Sequence, residues 1–163
     1  LLALARAQAR VNVVGIVGLT ENLIDDDAYV ASEVITTLSG QTVEIIDTDA
    51  EGRLVMADLL THVQRQYKPK AIIDIATLTG SAMAALGAEY AALLCNDDPL
   101  ADKLLQTGVT TGEKCWRLPI DAAPLATLKS PIADMVNVEL SRLAGASFAA
   151  LFLSQYVDQN VPW

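Results

Sequence analysis

Residues 43–46, Val43-Glu44-Ile45-Ile46, form a short β-branched run. Residues 54–67 carry Met56, Leu60, Val63 and Tyr67 at i, i+4, i+7 and i+11. The first pattern predicts a buried strand and the second one face of a helix. Between them lies Asp47-Thr48-Asp49-Ala50-Glu51-Gly52-Arg53. The unit is strand, polar turn, helix, and Pro69 marks its end because proline disfavours helical dihedrals in the preceding residue. Outward from it, β-branched or apolar runs at 11–17, 34–38, 71–76 and 91–95 predict further strands. Helical patterns fall at 1–9, 80–86, 98–107, opened by Asp98-Pro99, and 145–157. The polar stretch 20–32, with Asp25-Asp26-Asp27, reads as a loop. Strand and helix alternate, which predicts an α/β fold with a mixed, largely parallel sheet flanked by helices.

Composition bounds the function. The chain has 163 residues, 52% hydrophobic and 19% charged, with net charge −9. That suits one domain with a real core and excludes disorder as the main state. Strong acidity argues against binding a phosphate backbone, so no nucleic-acid partner is expected. No apolar run has the roughly 18–20 residues of a membrane span, so no membrane partner is expected either. Cys95 and Cys115 cannot make a disulfide framework, which points to a reducing, cytoplasmic setting. The start at Leu1 and the close at Val161-Pro162-Trp163 read as a piece cut from a longer chain.

The polar turn is where chemistry is expected. In open α/β sheets, ligands gather at the carboxyl ends of strands. Asp49 and Glu51 are two apart, so in an extended segment their carboxylates share a side. Gly52 lets the backbone turn, and Arg53 adds a cation at a helix start, where anions already bind well. Two hard oxygen donors beside an anion-binding arginine suit a divalent-metal site. From spacing alone, a capping acid with a surface salt bridge is the commoner explanation.

The longer context favours the metal site. Residues 43–60 closely resemble the signature of the leucyl aminopeptidase family of dimetal exopeptidases. Asp47-Thr48-Asp49-Ala50-Glu51-Gly52-Arg53-Leu54 matches that family's pattern except at Asp47, where the family has asparagine. Thr20-Glu21-Asn22, Asp74 to Gly80, Ser130 to Asn137 and Ala144-Gly145-Ala146 agree in order. The resemblance implies that Asp49 and Glu51 bind two divalent cations, manganese or zinc, with magnesium as a further candidate. It implies that Arg53 is catalytic and holds a bicarbonate acting as general base. It also implies that Thr77 and Gly80 lie beside the first side chain of a peptide substrate and that the backbone carbonyl of Leu78 contacts that substrate. The activity implied is release of N-terminal, preferentially leucine-like residues, by a homohexamer.

The sequence also departs from the family. Its upstream ligand segment, which supplies lysines and further aspartates, is absent, as is its separate N-terminal domain. Residues 1–163 are therefore expected to be a partial catalytic domain, incomplete as a peptidase alone. A non-catalytic structural or interaction module built on the same fold is the alternative. Residues 139–143 stand in place of a Gly-Gly-Arg run, and Val30-Ala31-Ser32 in place of an Arg-Pro pair. Elsewhere the plainer explanations hold. His62 is expected on an exposed helix face and the two cysteines to be inert. Trp116 and Trp163 are expected to pack, and Asp25 to Asp27 to be a solvated loop. Gly108 to Lys114 has the wrong spacing for a phosphate loop.

Overall fold

The computed structural model describes residues 1–21, 26–121, 123–141 and 143–163, with backbone alone at 123–125. Asn22, Asp25 and Arg142 therefore lie outside the described residues. The core hairpin joins β1 (Val34–Thr36) to β2 (Thr42–Glu44), antiparallel, with Ile35 opposite Val43. Its turn uses Gly40 at φ 96°, a conformation that favours glycine. The turn is tied to α2 (Gly52–Tyr67): the Leu38 N–H donates to Asp58 Oδ1 at 2.7 Å, and Arg65 Nη1 donates to Leu38 O at 2.9 Å.

On its other side β2 pairs in parallel with β5 (Met135–Val136), Val43 facing Met135 and Glu44 facing Val136. The Thr42 N–H and hydroxyl both donate to Asp134 Oδ2 at 2.8 Å, which holds that carboxyl below its ordinary pKa. A second parallel pair joins β3 (Ala91–Leu93) to β4 (Cys115–Arg117), with α4 (Asp98–Thr111) as the crossover. Two short helices, α1 (Leu2–Arg6) and α3 (Gly80–Leu86), and the buried α5 (Gly145–Ser154) complete the set. The fold is thus mixed α/β, small sheets flanked by helices, with most pairings among the described residues parallel.

The core lies between β2, β5, the inner face of α2 and α5. Val43, Ile45, Ala57 and Phe152 are completely buried, and seven of the ten residues of α5 are buried. The buried face of α2 is not the expected one. It runs through Arg53, Leu54, Ala57, Leu60, Thr61 and Gln64, while Tyr67 is exposed and Met56 and Val63 are only half-buried. The polar members explain the rotation. Gln64 Nε2 donates to Leu60 O and Tyr156 O, and its Oε1 accepts from Asp158 N. A buried amide that satisfies these groups belongs inside.

Other boundaries move for local reasons. The cap of α4 is Asp97, accepting from Leu100 N at 2.8 Å, which leaves Asp98 as the first helical residue. The helix continues through Gly108 to Thr111, and only glycine fits at 108, since a side chain there would meet Glu113 O at 2.5 Å. Two expected strands are absent: 11–17 and 71–76 have no ladder partner among the described residues. Ile75 is 94% exposed. An apolar β-branched run becomes a strand only when another strand takes up its backbone hydrogen bonds. The short β4 and β5, and the 3₁₀ turns at Thr48–Ala50 and Ala123–Leu128, carried no pattern that would have announced them.

Candidate functional site

The site is the turn that leaves β2 and enters α2. Ile45 is buried beneath it. The N–H groups of Ile46 and Asp47 both donate to Asn137 Oδ1, at 2.8 and 3.3 Å, and Asn137 Nδ2 donates to Asp47 O at 2.7 Å. Asp47 in turn caps the 3₁₀ turn, its Oδ1 accepting from Asp49 N at 3.0 Å. Glu51 is already helical (φ −74°, ψ −36°) and leads directly into α2. Asp49 and Glu51 are both exposed at the top of this turn. Their segment is not extended, so the same-side argument drawn from strand geometry does not apply: residues two apart on a helical path do not share a face.

Arg53 turns inward and is 5% exposed. Its Nη1 donates to Asn137 O at 2.7 Å, and its Cζ lies 5.9 Å from the centre of the Phe148 ring. Burial lowers its pKa, while the fields of Asp47 and Glu51 raise it; an arginine so placed remains a cation. Among the described residues, Arg53 Nε is the one buried side-chain polar atom without a hydrogen-bond partner. The residue lines a small cavity of about 20 Å³ with Val138, Glu139, Leu143, Gly145 and Phe148. That is room for about one water below the surface, and the pocket opens outward.

The expected substrate segment comes to the same place in part. A Cβ at Gly52 would stand 3.8 Å from Leu78 Cδ1, so Leu78 lies against the turn. Thr77 is exposed, and Gly80, the first residue of α3, faces open space. Gly145 brings the start of α5 against α3, since a side chain there would meet Ser81 Oγ at 2.8 Å. Two residues near the turn had no expected role. Tyr29 is half-buried, and its phenol pKa is raised by burial and then by the Glu51 charge. Asn137 is completely buried. Its only sequence signal was membership of the block from Ser130 to Asn137.

Away from the turn, His62 is exposed on α2, Cys95 is buried, and Cys115 is half-buried; both cysteines are free thiols. Trp163 packs in the core as expected. Trp116 is exposed, touching Tyr90 edge-on at 6.3 Å between ring centres.

Asp49 and Glu51 have the hard-oxygen chemistry of ligands for a divalent cation. Among the described residues, however, no group of three His, Cys, Asp or Glu side chains is gathered to hold one. The chain thus fits as a donor of two ligands and does not complete a cage. For a small anion, the orphaned Arg53 Nε–H is the fitting feature.

Residues 1–163 match the family described as the cytosol aminopeptidase family, catalytic domain. The chain belongs to this family. It is 51% identical over 161 residues to a probable cytosol aminopeptidase of Methylobacterium radiotolerans, covering 99% of this chain and 32% of that one. It is 50% identical to the probable cytosol aminopeptidase of Xanthobacter autotrophicus, with the same coverage. Among solved structures, a mutant of tomato leucine aminopeptidase aligns with a TM-score of 0.83 at 40% identity, over 88% of this chain and 28% of that one. The cytosol aminopeptidase of Coxiella burnetii aligns at 0.82 and 43% identity, over 88% and 31%. The chain spans about a third of the length of the curated relatives it matches.

Proposed function

We propose that this chain carries part of the active site of a metal-dependent aminopeptidase that releases apolar, leucine-like residues from peptide N-termini. The observation that carries the proposal is the turn itself. Two exposed carboxylates, Asp49 and Glu51, stand beside a buried arginine whose Nη1 donates to a backbone carbonyl and whose Nε, among the described residues, has no partner. In this proposal Asp49 and Glu51 hold two divalent cations, manganese, zinc or magnesium. Such ions polarise a peptide carbonyl and lower the pKa of water.

The protein's own contribution is placement. Asp47 and Asn137 fix the backbone from which both carboxylates project. Arg53 offers Nε–H to a bicarbonate, which could accept a proton if it lay within hydrogen-bond reach. Leu78, against Gly52, positions its backbone for the substrate, with Thr77 and Gly80 on the open side for the first side chain. A cytoplasmic location and a homohexameric assembly belong to the same proposal. Among the described residues, no helix is long and apolar enough to cross a membrane.

A second reading, a non-catalytic module on this fold, is favoured by one observation: the described residues do not gather a third metal ligand. Leucine-anilide hydrolysis with added manganese, by the protein as its native gene encodes it, separates the two. The proposal expects manganese-dependent turnover that falls more than about 100-fold in the Asp49→Ala, Glu51→Ala double variant. Turnover that is absent, or equal in the folded variant, supports the module.

A further inference from the structure

We propose that Asn137 is a positioning residue for this site, a single clamp that sets Arg53 and the Asp49–Glu51 turn relative to each other. The proposal rests on the aminopeptidase reading for its consequence and on hydrogen bonds alone for its geometry.

Asn137 directly follows β5, whose register places Val136 beside Glu44. The ladder thus delivers Asn137 to the point where β2 ends and the turn begins, and its N–H donates to Glu44 O at 3.1 Å. Its side chain then reads both sides of the Asp47 backbone: Oδ1 accepts from Ile46 N and Asp47 N, and Nδ2 donates to Asp47 O. Its own carbonyl accepts from Arg53 Nη1. These contacts bracket the motif, those to Ile46 and Asp47 at its entry and that to Arg53 at its exit. Asp49 and Glu51 lie between.

A carboxamide presents a donor and an acceptor on two separate atoms without charge, and at complete burial each must be used. The Arg53 contact is equally specific in kind. A carbonyl orients the guanidinium without cancelling its charge, whereas a carboxylate in the same place would consume it. The arrangement leaves a directed cation, held by a neutral carbonyl, behind two exposed carboxylates.

The test uses the protein as its native gene encodes it. Asn137→Ala is expected to lower kcat for manganese-dependent leucine-anilide hydrolysis by about 10–100-fold, the range for residues that orient metal-site ligands, with KM within about threefold. Hydrogen exchange at the Ile46 and Asp47 amides is expected to quicken, while amides inside α2 stay protected. Asn137→Asp keeps the shape and the acceptor and loses the donor to Asp47 O unless protonated. Its kcat relative to the unsubstituted protein is expected to rise as pH falls.

The proposal is overturned if Asn137→Ala keeps kcat, or if the two amides keep their protection. If Asn137→Ala does not fold, Asn137→Asp decides: a pH-independent ratio near one overturns the proposal. If the unsubstituted protein has no aminopeptidase activity, the proposed function fails on its own, and the amide protection still decides the clamp.

Discussion

Two stretches of this chain have nearly the same local character and opposite fates. Residues 43–46 and 71–76 are both β-branched, apolar and short. Ile45 is completely buried above α2, whereas Ile75 is 94% exposed. The difference is company. The strand β2 has β1 on one side and β5 on the other, and Asn137 takes up the N–H groups just past its end. Residues 71–76 have one backbone bond to the C-terminal segment, from Ile72 N to Pro162 O at 2.9 Å, and no ladder among the described residues. Apolarity makes a strand possible, and pairing makes it real.

The comparison can be broken most forcefully by truncating one residue type in both places. Ile45→Ala should destabilise the chain by about 2–5 kcal/mol, since it opens a cavity in a fully packed layer. Ile75→Ala should stay within about 0.5 kcal/mol. Urea unfolding of both variants measures the contrast, and equal losses would mean that 71–76 is packed after all. A middle-sized effect is expected at Gln64. Replacing it with Ala leaves Tyr156 O and Asp158 N without their partner and should cost about 1–3 kcal/mol. At the cap of α4, Asp97→Ala should cost about 1 kcal/mol in the same assay.

The subtlest expectation concerns Asp74, the one acid in residues 71–76, half-buried although Ile75 beside it is exposed. Burial raises its pKa above 3.8, and the hydrogen bond it accepts from Trp163 Nε1 pulls the other way. A carboxyl whose folded pKa is raised binds its proton more tightly when folded. Its stabilising contribution is therefore complete below about 3.8, the unfolded value, and lost as pH climbs through the raised folded value. Asp74→Asn should abolish this dependence, so unfolding curves of the two proteins should diverge in the variant's favour as pH rises through that window. Parallel curves would show that Asp74 is not held in its folded place.

Local chemistry made much of this legible. The α3 boundaries and the existence of α2, though not its buried face, followed from pattern and punctuation, because a helix closes its hydrogen bonds within itself. The motif from Asp47 to Arg53 marked the turn and the side chains proposed to act there. What could not be read was whatever depends on distant partners. Arg53 was expected as a cation at a helix start, and its burial against Phe148 is set by α5. The short β5 and its Asn137 contact a turn 84–91 residues away in sequence. The missing strands at 11–17 and 71–76 are the same lesson with the sign reversed.

The most direct measurement is manganese binding, followed by electron paramagnetic resonance, to the protein and to its Asp49→Ala, Glu51→Ala double variant. The account predicts saturable binding that the double variant loses while keeping its circular dichroism. Binding of equal strength in the folded double variant would contradict it, because the turn after β2 would then not be where the metal sits.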